Sequence, residues 1–115
     1  MKNVYILFEM NEDMSEIFET LEYTEEGNKD IGKDICVYAL STCGFCRRAL
    51  QFLRDSDSKF KFIYVDKVPY ETKQEIKVKL KDKFEKRVVF PYCVVDNKEV
   101  LVGFVEEDWK QTLGL

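Results

Sequence analysis

The six consecutive residues Ile35–Leu40 are all apolar. An uninterrupted apolar run of this length is typical of a strand that is buried on both faces of a sheet. Such a strand needs secondary structure packed on each side of the sheet to keep water away from it. The run therefore predicts a sheet with helices on both faces, which is an α/β fold.

Helical and strand patterns alternate after this run. The predicted elements are helix Phe45–Arg54, strand Phe60–Val65, helix Tyr70–Lys86, strands Pro91–Val95 and Glu99–Val102, and helix Val105–Leu113. Helices are predicted from apolar residues on one helical face, and the strand Phe60–Val65 from alternation. The order β-α-β-α-β-β-α implies parallel pairing of the first two strands, and the short connection Asp96–Lys98 implies an antiparallel hairpin. The sequence predicts a mixed central sheet.

Residues 1–34 differ from this pattern and are interpreted as an N-terminal extension, with residues 35–115 as the main domain. Asn3–Glu9 is a possible strand. A helix is predicted next from four apolar residues at helical spacing, with Asn11 or Asp13 as its cap; these residues are Met14, Ile17, Phe18 and Leu21. Glu25–Asp34 is rich in acidic residues and is predicted to be a loop.

Charge and composition exclude several classes of function. The net charge is −4, and no basic block is present, so we expect no nucleic-acid partner and no membrane partner. Histidine is absent, which excludes Ser-His and Cys-His catalytic pairs and histidine-ligated metals. The N-terminal apolar run Val4–Phe8 is short and is followed by Glu9, so we expect no signal peptide and a cytoplasmic location. We also expect a monomer.

The motif Cys43-Gly44-Phe45-Cys46 lies where the first predicted strand meets the first predicted helix. The unpaired N–H groups and the dipole at a helix N-terminus favour an anion, so the pKa of Cys43 should be lowered. Arg47 and Arg48 add positive charge beside it. Cys46 follows within one helical turn, where it is suited to attack a mixed disulfide formed at Cys43. The motif predicts a redox-active dithiol.

This arrangement resembles the thioredoxin superfamily and, within it, the dithiol glutaredoxins. The resemblance covers about Ile35–Leu113. The matching residues are Tyr38, Thr42, Cys43, Cys46 and Arg47, then Val89-Phe90-Pro91, Gly103-Phe104 and Glu106-Glu107-Asp108. It implies a thioredoxin-like fold and a thiol–disulfide oxidoreductase acting on protein or small-molecule disulfides. It also implies a cis bond between Phe90 and Pro91.

The resemblance further assigns the site residues. Cys43 and Cys46 are the expected catalytic residues. The expected substrate-binding residues are Thr42, Phe45, Arg47, Phe90, Pro91, Gly103 and Phe104. No cofactor and no metal is expected to be bound, and the electron donor would be glutathione or a dedicated disulfide reductase.

Two departures from the glutaredoxin pattern bear on that donor. Leu40 stands near the position of a lysine that contacts a glutathione carboxylate in the family, and Phe104 replaces the second glycine of a Gly-Gly turn. Leu40 removes a positive charge that would pair with the glutathione carboxylate, and the Phe104 side chain would crowd the place where the γ-glutamyl group is held. We therefore expect glutathione to be a poor ligand of this protein.

Three alternatives remain open at the level of sequence. A zinc site would recruit Cys36 and Cys93 alongside the motif, although both lie in apolar strands and are better explained as core residues. An iron–sulfur cluster carrier would bind a cluster through Cys43 with glutathione, as Gly44-Phe45 is also found in monothiol glutaredoxins. A non-catalytic adaptor would keep the fold and use the extension as its interaction element.

Overall fold

The computed structural model describes residues 17–115. Its elements are strands β1 (Thr24–Glu26), β2 (Ile35–Ala39), β3 (Phe60–Tyr64), β4 (Tyr92–Val95) and β5 (Glu99–Val102), and helices α1 (Gly44–Asp55), α2 (Tyr70–Phe84) and α3 (Glu106–Leu113). Residues 17–20 are helical as well. No helix within residues 17–115 is long and apolar enough to cross a lipid bilayer.

The strands form one mixed sheet in the order β1-β3-β2-β4-β5. β2 pairs with β3 in parallel, and the other neighbouring pairs are antiparallel. The predicted order of elements after residue 35, the parallel and antiparallel pairings and the thioredoxin-like α/β fold are confirmed. The parallel pair places the carboxyl ends of β2 and β3 at the same edge of the sheet, where the functional site is built.

Successive side chains of β2 enter two separate cores, because neighbouring residues of a strand point to opposite faces. Ile35, Val37 and Ala39 pack in a first core, which also contains residues of α1 and α3. Cys36 and Tyr38 pack in a second core, which contains residues of α2. All five side chains are buried. The sheet is therefore covered by helices on both faces, as the apolar run predicts.

Part of the predicted extension belongs to this sheet. The prediction that Glu25–Asp34 is a loop is wrong at its first two residues, because Thr24–Glu26 is β1 and pairs with β3. Its side chains carry no apolar pattern because the strand lies at the sheet edge. It is held by backbone pairing and by the ion pair between Glu26 and Arg54, 2.7 Å apart. The division of the chain at residue 34 stays a prediction.

The predicted apolar stripe of the extension falls partly within the described residues. Ile17 is buried, and Phe18 and Leu21 pack against the second core, as the helical spacing indicates. Met14, the proposed caps Asn11 and Asp13, and the possible strand Asn3–Glu9 lie outside the described residues.

Tyr92 is fully buried in the second core, and its hydroxyl has no hydrogen-bond partner within residues 17–115. We expect Tyr92→Phe to leave the free energy of unfolding unchanged or to raise it by up to about 1 kcal/mol, because a buried unpaired hydroxyl is costly. Tyr38→Phe is the control, since the Tyr38 hydroxyl lies 3.0 Å from that of Tyr23. That variant should lose about 1 kcal/mol. Urea unfolding measures both, and a clear loss in Tyr92→Phe would contradict the prediction.

Candidate active site

Cys43 is the N-cap residue of α1, at the end of the turn that follows β2. The turn is closed by a hydrogen bond from the Cys43 N–H to the Leu40 carbonyl oxygen, 3.3 Å long. The Cys43 Sγ accepts a hydrogen bond from the backbone N–H of Cys46 at 3.2 Å. The thiol thus takes the place that a serine or aspartate side chain occupies in an ordinary N-cap.

The two thiols of the motif differ in their access to solvent. Cys43 is partly exposed, whereas Cys46 is only 1% exposed and belongs to the first core. The Cys46 Sγ accepts a hydrogen bond from the Leu40 N–H at 3.4 Å. Both cysteines are free thiols in the structure. An incoming disulfide would therefore meet Cys43 first.

Ionisation of the two thiols is also unequal. Partial burial opposes ionisation of Cys43, but hydrogen bonds from the Cys46 thiol and from the backbone N–H groups of Cys46 and Phe45 outweigh it. Together with the positive charge of Arg47, these lower the pKa of Cys43 below its usual value. Burial and the proximity of Cys43 raise the pKa of Cys46. The arrangement favours a thiolate on Cys43 and a protonated thiol on Cys46.

The segment before β4 lies against Cys43. The Cys43 thiol is 4.0 Å from the Phe90 carbonyl oxygen. The bond between Phe90 and Pro91 is cis, which confirms the prediction from the resemblance. The Gly103 N–H donates to the Pro91 carbonyl oxygen at 2.8 Å, so the end of β5 is tied to this segment. The structure therefore brings Cys43, Cys46, Phe90, Pro91 and Gly103 together.

Phe104 is partly buried beside the first core. Its ring packs against Phe52 of α1 and Trp109 of α3, with centroid distances of 5.8 and 5.2 Å. The expectation that this side chain crowds the place of the glutathione γ-glutamyl group stays a prediction. Leu40, the other departure, packs its side chain against both cores.

The other predicted substrate-binding residues are exposed around Cys43. Thr42 and Arg47 are exposed, and Phe45 is 56% exposed. The Arg48 guanidinium lies over the Phe45 ring, 4.5 Å from its centroid, which is a cation–π contact. The positive charge of Arg47 thus stabilises the Cys43 thiolate, whereas Arg48 packs on the exposed Phe45 ring.

Sequence reasoning missed Ser41 and Asp66. The Ser41 N–H donates to the Asp66 carboxylate at 2.9 Å, and the Ser41 hydroxyl donates to its other oxygen. Asp66 lies two residues after the end of β3, and Ser41 lies two residues after the end of β2. Because parallel strands end at the same edge of a sheet, the predicted strand order could have revealed this contact.

Cys36 and Cys93 are buried strand residues. Cys36 is in the second core and Cys93 in the first, on opposite faces of the sheet, so the four cysteines cannot share one metal ion. Burial raises the pKa of Cys36 to about 11 and raises that of Cys93 as well. Within residues 17–115, no three His, Cys, Asp or Glu side chains are grouped to hold a metal ion. The core interpretation of both cysteines is confirmed.

Comparisons with known proteins agree with this geometry. The glutaredoxin family profile matches residues 35–100. The structure is similar to that of the glutaredoxin from Methanosarcina mazei Go1, with a TM-score of 0.70 and 26% identity, over 83% of this chain and 90% of that one. It is also similar to Methanosarcina acetivorans methanoredoxin, with a TM-score of 0.64 and 26% identity, over 78% and 98%.

A third similar structure is the glutaredoxin from Archaeoglobus fulgidus, with a TM-score of 0.60 and 29% identity. This match covers 68% of the present chain and 83% of the other. No curated protein matches the sequence. The family profile covers the part of the chain that contains both thiols. The three structures share its fold.

Proposed function

Because the chain belongs to the glutaredoxin family, we propose that it is a thiol–disulfide oxidoreductase that reduces protein or small-molecule disulfides through Cys43 and Cys46. One observation carries the proposal. Cys43 lies at the N-terminus of α1, partly exposed, with its Sγ 3.2 Å from the N–H of Cys46. That position supports a nucleophilic thiolate next to a second thiol that can resolve its product.

The reaction follows from the difference between the two thiols. The Cys43 thiolate attacks one sulfur of the substrate disulfide, and the other sulfur leaves as a thiolate. Cys46 then loses its proton and attacks the Cys43 Sγ, which releases the second substrate thiolate. Two electrons pass to the substrate, and Cys43 and Cys46 end as a disulfide. On this proposal the two thiols carry the electrons, and the protein needs no bound cofactor.

The surroundings of Cys43 support a role in holding the substrate. The Phe90 backbone lies against the Cys43 thiol and is available to pair with an extended segment of a disulfide-containing substrate. The exposed ring of Phe45, backed by Arg48, adds an apolar surface on the α1 side. We place the substrate between these two surfaces, with its disulfide above Cys43.

Alkylation at different pH values tests the assignment of the nucleophile. Iodoacetamide reacts with thiolates, so the thiol with the lowest pKa is labelled at the lowest pH. We expect Cys43 to react first below pH 7, because its pKa is lowered while those of Cys36, Cys46 and Cys93 are raised by burial. Peptide mapping by mass spectrometry identifies the labelled residue. First labelling of Cys46 would contradict the assignment.

The electron donor can be tested at Leu40. We expect slow turnover with glutathione, because Leu40 offers no positive charge to a glutathione carboxylate. Leu40→Lys should raise the glutathione-dependent rate about tenfold, since a charge-assisted hydrogen bond contributes about 1–3 kcal/mol. Reduction of hydroxyethyl disulfide by glutathione measures the rate.

Leu40→Met is the matched control, because it changes the shape of the side chain without adding charge. It should leave the glutathione-dependent rate close to that of the wild-type protein. If the wild-type protein already turns over rapidly with glutathione and Leu40→Lys adds nothing, the donor is glutathione, and the expectation of a dedicated reductase is wrong.

A further inference from the structure

Asp66 is attached to the turn that carries the two thiols. Its carboxylate accepts two hydrogen bonds from one residue, the N–H and the hydroxyl of Ser41. The parallel pairing of β2 and β3 continues up to this point, because the Val65 N–H donates to the Ala39 carbonyl oxygen at 2.9 Å. Asp66 is therefore fixed relative to the turn, although its side chain is exposed.

The turn links this carboxylate to Cys46. Ser41 is held by Asp66, and the N–H of the preceding residue, Leu40, donates to the Cys46 Sγ. The hydrogen bonds from the Ser41 hydroxyl and the Ser41 N–H lower the pKa of the Asp66 carboxyl. Asp66 consequently stays ionised at every pH at which the thiols titrate, and it presents a constant negative charge to the Cys46 side of the site.

Several elements surround Cys46, and the titratable and charged groups that they contribute are as follows. The turn contributes Cys43 and α1 contributes Arg47. Cys93 of β4 and Tyr64 of β3 pack in the same core as Cys46, and Lys67 follows Asp66. The core residues from α3 are Trp109 and Leu113, which carry no charge. Asp66 is the carboxylate whose negative charge acts on Cys46, and it is bonded to the residue next to Leu40.

We infer that Asp66 is a positioning residue of the reaction: held by Ser41, its negative charge disfavours the Cys46 thiolate and so raises the pH at which the mixed disulfide is resolved. This inference rests on the proposed function. Burial and Cys43 raise the pKa of Cys46, and the Asp66 charge acts in the same direction. Arg47 acts oppositely on Cys43. The charges of Arg47 and Asp66 therefore move the pKa values of the nucleophile and the resolving thiol apart.

The resolving step can be observed directly with dithiobis(nitrobenzoate), whose two halves absorb visible light when they leave as thiolates. Cys43 attacks the reagent disulfide and releases the first half, and the second half stays on Cys43 as a mixed disulfide. Cys46 loses a proton to solvent, attacks Cys43 and releases the second half. Two electrons reach the reagent. Stopped-flow absorbance gives the rate of each release, and the pH midpoint of the second reports the ionisation of Cys46.

Two variants separate the effect of the Asp66 charge from the effect of its hydrogen bonds with Ser41. Asp66→Asn removes the charge but keeps an acceptor oxygen for Ser41, and Ser41→Ala removes one hydrogen bond but keeps the charge. Circular dichroism checks that both fold. We expect Asp66→Asn to lower the midpoint of the second release by about half a pH unit, a modest shift because the carboxylate is exposed to solvent. Ser41→Ala should keep the wild-type midpoint.

The possible outcomes are distinct. An unchanged midpoint in Asp66→Asn overturns the inference, since the charge would then have no effect on Cys46. Equal shifts in both variants also overturn it, because they would point to the geometry of the turn. Release of only one half by the wild-type protein overturns the proposed function itself, and the inference falls with it. Release of both halves, with a lower midpoint in Asp66→Asn alone, supports both.

Discussion

Cys43→Ser should abolish disulfide reduction. A serine hydroxyl at the N-cap of α1 keeps the hydrogen bond from the Cys46 N–H, so the helix should start in the same place. The serine hydroxyl does not form an anion at neutral pH, so the attack on the substrate disulfide is lost. We expect the rate of insulin disulfide reduction to fall on the order of a thousandfold or more.

Cys46→Ser should give a different defect. Cys43 still attacks, but no thiol resolves the product, and a mixed disulfide with substrate accumulates. Mass spectrometry detects it as an adduct on Cys43. Cys36→Ala is the control, because Cys36 lies in the second core, away from the reacting atoms. It should lose stability but keep activity. Full activity in Cys43→Ser would refute the assignment of the nucleophile.

Gly27→Ala should be the most destabilising glycine substitution in the part of the chain that the structure describes. Gly27 has φ +89°, where an L residue is strained by about 1–2 kcal/mol. A Cβ at this position would also overlap the Ser58 carbonyl and lie 2.9 Å from the Lys59 Cα. Because both contacts are backbone, the chain must move, and we expect a total loss of about 3 kcal/mol or more.

Gly32→Ala is the matched control. Gly32 also has a positive φ, of +78°, but a Cβ there has no heavy atom within 4 Å. It should lose about 1 kcal/mol through backbone strain alone. Urea unfolding compares the two variants, and hydrogen exchange at the N–H groups of Asn28 and Lys29 shows whether the contact with Asp57 has opened. Equal losses in the two variants would show that β1 does not depend on this close approach.

The sequence predicts the fold well wherever burial leaves a local pattern of apolar residues. β2 is recognisable in the sequence because both of its faces enter a core, and α1 and α2 are recognisable because only one face of each does. The position of Cys43 at a helix start followed from the same two elements. Each of these predictions depends on neighbouring residues in the chain, and the pattern of apolar residues is sufficient to make them.

What the sequence did not reveal depends on contacts between distant segments. β1 is an edge strand whose exposed residues carry no apolar pattern, and it exists through its pairing with β3. The bond between Ser41 and Asp66 joins two turns 25 residues apart. The direction of the Phe104 ring is decided by Phe52 and Trp109, which form a space for it beside the first core. No local pattern encodes such contacts.

Trp109 is the single tryptophan of the chain and is 1% exposed. Its indole N–H donates to the Gly103 carbonyl oxygen at 3.1 Å, and the Gly103 N–H is bonded in turn to Pro91, beside Phe90 and Cys43. Intrinsic tryptophan fluorescence therefore originates from one known environment, two hydrogen bonds away from the segment that faces the nucleophile. The protein carries its own optical probe there, so that a change in emission on oxidation or substrate binding can be assigned to one place without an added label.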